Sequence, residues 1–127
     1  MERRVLVIDG SEAIRQHLRF VLASRGYEMD EAVDCRSALA KLSGSGCGGY
    51  ELVILDEDMP MEEHECFFRE FGGAEEPNYP YPLLLLSREE RTGRAAGAGT
   101  ARLSKPFSTL AFFSVLRHMG LRPPAQE

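Results

Sequence analysis

The chain contains short apolar runs that each stop at a polar or charged side chain, and no other feature constrains its fold as strongly. VLVID ends at Asp9, LVILD at Asp56 and LLLLS at Ser87, and the weaker ARLSK ends at Lys105. Runs this short, apolar without alternation and bounded by turn residues, read as strands buried on both faces. A fifth, weaker strand is expected around Tyr27–Ala32. Helical patterns separate the strands. In SEAIRQHLRFVLASRG, residues Ile14, Leu18, Val21 and Leu22 fall at helical spacing, with Ser11 as N-cap and Gly26 as C-terminal stop.

Four more helices are expected. One is short, near Cys35–Leu42, and one is acidic, from about Glu62 to Phe71. A weak one in REERTGRAAGAG is eroded by its glycines. The last, STLAFFSVLRHMG, is capped by Ser108, and its apolar face includes Leu110, Phe113 and Leu116. Phe112 and Phe113 point about 100° apart on that helix, so one is read as core and the other as a candidate interface, with core packing the default. SGSGCGG and PNYPYP read as loops.

Both-face-buried strands alternating with helices imply a parallel sheet covered on each side, with right-handed crossovers. With 127 residues the chain fits one domain. Five strands and five surrounding helices suit an α/β, flavodoxin-like, doubly wound sheet of order 2-1-3-4-5. Residues 1–120 are assigned to this domain, and 121–127, LRPPAQE, to a C-terminal tail or the start of a linker.

The formal net charge of -5 disfavours direct nucleic-acid binding, because phosphate contacts need basic surface. The charge is uneven: Glu51 to Glu76 holds ten acids against one base, Arg69. Much of that block reads as a solvated face. Cys35, Cys47 and Cys66 form no CxxC and no evident paired framework, so a reduced, cytoplasmic protein is expected. No charged-then-apolar leader precedes Val5, and no apolar run approaches the roughly 20 residues of a membrane span. Neither secretion nor a membrane anchor is expected.

In an open parallel sheet, ligands bind beyond the carboxyl ends of the strands where strand order reverses. In the order 2-1-3-4-5 the first and third strands are neighbours, so Asp9 and Asp56 meet there, beside Ser87 and Lys105. Two close carboxylates call for a cation, and Mg²⁺ takes one or two carboxylates while bridging to phosphate oxygens. A carboxylate can itself form an acyl phosphate. Lysine supplies a point charge to phosphoryl oxygens, and serine a hydroxyl donor. The constellation reads as an aspartate that receives a phosphoryl group.

Over roughly residues 3–120, through VLVID, YELVILDEDMP, PLLLLS and AGAGTARLSKPF, the chain resembles the receiver domain of two-component response regulators. The resemblance implies a phosphorelay signalling domain rather than an enzyme. It makes Asp56 the phosphoacceptor and Asp9 the first acid of an amino-terminal acidic pair. Ser87 becomes the hydroxyl switch residue, and Lys105 the lysine that contacts the phosphoryl group. It also implies a cis Lys105–Pro106 peptide and a Mg²⁺ site near Asp9, Asp56 and Asp58, the last through its backbone carbonyl. The implied partners are a sensor histidine kinase or phosphotransfer protein, and a protein partner or second copy on the last strand and helix. Arg91, Arg94 and Arg102 near that surface suggest acidic contacts.

Four positions depart from the family pattern. Gly10 stands where a second acid is expected. Either the Asp58 carboxylate compensates, or Asp9 ligates directly, or metal binds weakly. Arg88 follows Ser87 in place of a small residue, Arg102 replaces the usual aromatic switch, and PMEEH replaces a glycine-containing loop. These departures support an alternative, a pseudo-receiver that binds partners without phosphorylation. A haloacid-dehalogenase-like phosphatase, suggested by the Asp-x-Asp of ILDED, places that motif on the wrong strand. His64 reads as an exposed loop residue rather than a ligand, and His17 and His118 lack a second histidine at helical spacing.

Overall fold

The computed structural model describes residues 3–43, 50–71, 82–88 and 100–121. Its elements, in chain order, are β1 (Arg4–Ile8), α1 (Glu12–Ala23), β2 (Glu28–Ala32), α2 (Cys35–Ser43), β3 (Leu52–Asp56), α3 (Met61–Phe71), β4 (Leu83–Ser87), β5 (Thr100–Ser104) and α4 (Thr109–His118). The five strands are parallel and ordered β2-β1-β3-β4-β5. This is the flavodoxin-like arrangement. Four helices lie among the described residues; the additional helix expected in REERTGRAAGAG falls at 89–99, outside them. Arg91 and Arg94, Cys47 and most of PNYPYP also lie outside.

Burial follows strand position. The central β3 and β4 are buried throughout and β1 almost so, whereas the edge strands β2 and β5 are half-buried. This explains why EMDEA can be a strand with so few apolar residues: one edge and much of one face meet water. Alternate residues divide between two cores. Val5, Val7, Ile54, Leu84 and Leu86 pack with Leu18, Val21 and Leu22 of α1 and with Phe112, Phe113 and Leu116 of α4. Leu6, Ile8, Val53, Leu55, Leu83 and Leu85 pack on the other face with Ala38 of α2 and Phe67 of α3.

The helix ends follow from local chemistry. The Ser11 hydroxyl accepts from the Ile14 N–H and the Ser108 hydroxyl from the Ala111 N–H, satisfying donors that a helix start leaves open. Gly26 lies just past α1 at φ 86°, a conformation that costs glycine little. On α4 two expectations change. Phe112 and Phe113 are both buried, because they straddle the line of Leu116. Leu110, about 120° around the helix from Leu116, is 80% exposed.

The cysteines require a further correction. Cys35 at the start of α2 and Cys66 in α3 are joined by a disulfide across 31 positions of sequence. Packing of α2 against α3 on one face of the sheet brings them together, and no sequence spacing encodes that. Among the described residues no helix is long and apolar enough to cross a membrane.

Candidate functional site

The carboxyl ends of the strands open into a cleft of about 540 Å³, lined by Asp9, Asp34, Asp56, Asp58, Glu63, Arg88 and Lys105 among others. Asp56 is the last residue of β3. Asp9 follows β1, and Lys105 follows β5 from the opposite side of β4. Parallel pairing of β1 with β3 places the two carboxylates at the strand-order reversal. The Lys105 ammonium reaches between them, donating to Asp9 Oδ2 at 3.2 Å and Asp56 Oδ1 at 3.0 Å. Its side chain is only 6% exposed, so the charge is held in place rather than waving in solvent. The Lys105–Pro106 peptide is cis.

Asp9 is the most deeply buried acid of the group. Its Oδ1 accepts from the Ser11 N–H at 2.8 Å, and the Arg15 guanidinium donates to its backbone carbonyl at 2.7 Å. Burial pushes its carboxyl pKa above the ordinary value. The Ser11 N–H opposes that rise, the Asp56 charge adds to it, and Lys105 counters it. Asp34, on the cleft wall, shifts the other way, because the Ser37 hydroxyl and backbone N–H both donate to its carboxylate.

The three acids that end LVILDED have three different surroundings. Asp56 faces the cleft. Asp58 donates its backbone N–H to Asp56 Oδ1 at 2.9 Å, while its carboxylate turns toward β4. There its Oδ1 accepts from the Ser87 hydroxyl at 3.3 Å and its Oδ2 from the Arg88 N–H at 2.8 Å. Glu57, within the acidic block much of which reads as a solvated face, is buried at 9% exposure and meets Arg102. The guanidinium donates to both Glu57 carboxylate oxygens at 3.2 Å. The register explains the encounter: Arg102 lies opposite Leu85, on the α2–α3 side of the sheet, in the edge strand β5.

Gly10 lies on the cleft wall, and a Cβ there would meet only the Val33 carbonyl oxygen, at 3.9 Å. A side chain is missing by sequence and not for want of room. Hard carboxylate oxygens suit the Mg²⁺ that such a cleft implies, but only Asp9 and Asp56 converge, and both already meet Lys105. Among the described residues no group of three acidic, histidine or cysteine side chains is placed to hold a metal. The arrangement as it stands does not fit a three-carboxylate metal site. His64 lies half-buried on α3 rather than in an exposed loop, and His17 stacks on Phe107 with ring centres 5.4 Å apart.

Three features carried little or no sequence signal. The Glu57–Arg102 pair had one, an acid just past β3 and an arginine in the middle of the edge strand β5. The Cys35–Cys66 bond had none. The hydrogen bond from the Cys35 N–H to Glu63, which seats Glu63 on the cleft wall, also depends on the α2–α3 contact.

The chain is similar to known proteins. The chain is 30% identical over 112 residues to the phosphate regulon transcriptional regulatory protein PhoB of Escherichia coli, covering 85% of this chain and 47% of that protein. It is 33% identical over 110 residues to the transcriptional regulatory protein ResD of Bacillus subtilis, covering 84% and 43%. Among solved structures, the chemotaxis response regulator CheY4 of Vibrio cholerae superposes with a TM-score of 0.74 at 29% identity, over 94% of this chain and 99% of that one. The chain belongs to the response-regulator receiver-domain family. It spans about half the length of the curated relatives it matches. No protein-family model matches it.

Proposed function

We propose that this receiver domain, residues 1–120, accepts a phosphoryl group on Asp56 from the phosphohistidine of a sensor kinase or phosphotransfer protein. The observation that carries the reading is the Asp56 carboxylate, facing an open cleft with a fixed ammonium 3.0 Å from one oxygen. In the transfer an Asp56 oxygen forms the new O–P bond and the P–N bond breaks. The electron pair leaves on the imidazole nitrogen, which then takes up a proton. Lys105 draws charge from the phosphoryl oxygens as they approach. The added charge beside Ser87 and Lys105 shifts the loops at the strand ends and, through β5 and α4, a partner surface.

Intact mass after incubation with acetyl phosphate and Mg²⁺ tests this. One added phosphoryl group on the wild type and none on Asp56→Asn is expected; no adduct on the wild type over a wide Mg²⁺ range overturns it. Because Gly10 removes a carboxylate, Mg²⁺ binding is weak. Gly10→Asp, which has space for its side chain, strengthens it by roughly tenfold or more in a titration followed by amide shifts.

One observation favours the second reading, a module that binds partners without phosphorylation. Arg102, in place of the aromatic switch that the resemblance implies, is tied to buried Glu57 and is not available to change position cheaply. Partner binding that survives Asp56→Asn but fails after substitutions on α4 supports it.

A further inference from the structure

The donors that a phosphoryl group on Asp56 needs are already in use. Such a group carries oxygens that seek a hydroxyl, a backbone N–H and an ammonium, and the strand ends beside Asp56 present the Ser87 hydroxyl, the Arg88 N–H and the Lys105 ammonium. All three converge on one side chain. The Asp58 carboxylate takes the Ser87 hydroxyl on Oδ1 and the Arg88 N–H on Oδ2. Its Oδ2 also lies 4.0 Å from the Lys105 ammonium. The backbone N–H of Asp58 meanwhile holds Asp56 Oδ1, so the same residue positions the acceptor and covers the space beside it. We infer that Asp58 is an internal anion seated in the phosphoryl subsite of this cleft, and that a phosphoryl group enters only by displacing it.

This inference rests on the receiver reading and deepens it. Two further observations support displacement. The Asp58 side chain is 25% exposed, against 6% for Lys105, so it has a route into water that the lysine lacks. The Asp58 carboxylate also does not join Asp9 and Asp56 in a metal set, as compensation for Gly10 would require. Hydrogen bonds to an ionised carboxylate are stronger than neutral ones, so the occupant raises the threshold for entry without closing the site. The same contact holds the Ser87 hydroxyl on the cleft side in the absence of a phosphoryl group. A carboxylate there gives part of the signal that phosphorylation would give.

The test compares wild type, Asp58→Ala and Asp58→Asn by amide NMR, first alone and then titrated with beryllofluoride in the presence of Mg²⁺. Alone, the Arg88 amide proton of the wild type resonates downfield, as expected for a bond to a carboxylate, and moves upfield in Asp58→Ala. On titration Asp58→Ala reaches half-saturation at a roughly tenfold lower beryllofluoride concentration. Asp58→Asn, which keeps the size and drops the charge, moves the same way to a lesser degree. An unmoved Arg88 amide, or equal half-saturation in wild type and Asp58→Ala, overturns the inference and leaves the receiver reading standing. Uptake by no variant overturns both.

Discussion

Asp56 and Glu57 are adjacent in the chain, and each is buried beside a cation, Lys105 just past β5 and Arg102 within it, yet the two corners are built for different ends. At Asp56 one ammonium is shared between two carboxylates, within reach of a third, and the group opens on a cleft. At Glu57 the Arg102 guanidinium donates to both carboxylate oxygens, on the far side of the sheet. The first corner has more negative than positive charge and can still gain from a cation or a rearrangement. The second sets a buried carboxylate against a guanidinium, and disturbing it costs energy. Strand alternation sends neighbouring side chains to opposite faces, so two adjacent acids receive unrelated environments.

The largest effect expected from breaking this contrast lies on the cleft side. The wall carrying Asp34 and Glu63 is tied by Cys35–Cys66, which closes a loop of 31 residues. Reducing that bond, or Cys66→Ser, lowers stability by about 3–4 kcal/mol on the loop-closure account. Chemical denaturation with and without dithiothreitol measures it, and amide shifts should be larger at Asp34 and Glu63 than at Glu57 and Arg102. A denaturation midpoint indifferent to reductant would show the thiols unpaired in solution.

Next in size is Arg102→Ala, which strips a buried carboxylate of its guanidinium. A loss of about 2 kcal/mol is expected, below the range for fully buried pairs because Arg102 keeps 28% of its side-chain surface in water. The double variant Glu57→Leu/Arg102→Leu should lose less than Arg102→Ala alone. If the single and double changes cost the same, the corner is not a matched pair.

The smallest effect has the opposite sign. Asp9 has a folded-state pKa raised by burial, so its ionisation works against the fold. The stability it contributes is present below its unfolded pKa of about 3.9 and is lost as pH rises through the higher folded value. Asp9→Asn should therefore stabilise the protein modestly at pH 7, with the gain vanishing in acid below that unfolded value. Thermal unfolding across pH 3 to 7 checks it. A gain that persists unchanged into acid would mean that something other than charge burial is responsible.

Much of the architecture is legible in the sequence because the relevant forces are local or periodic. Runs such as VLVID and LVILD have no solvent face to offer, so they must lie inside a covered sheet, and Ser11, Ser108 and Gly26 mark helix ends through their own backbone chemistry. Asp9, Asp56 and Lys105 can be grouped from the sequence because strand order decides which carboxyl ends are neighbours. Leu110 was misplaced because a helix of ten residues leaves its apolar stripe sensitive to where the first turn begins. Composition and pattern thus determined the fold, the cleft and the residues that point into it. Only the tertiary structure decided which acid met which donor. That choice set Glu57 against Arg102, joined Cys35 to Cys66 and turned Asp58 toward Ser87, because pairings between elements distant in sequence depend on register and helix packing and leave no trace in local spacing.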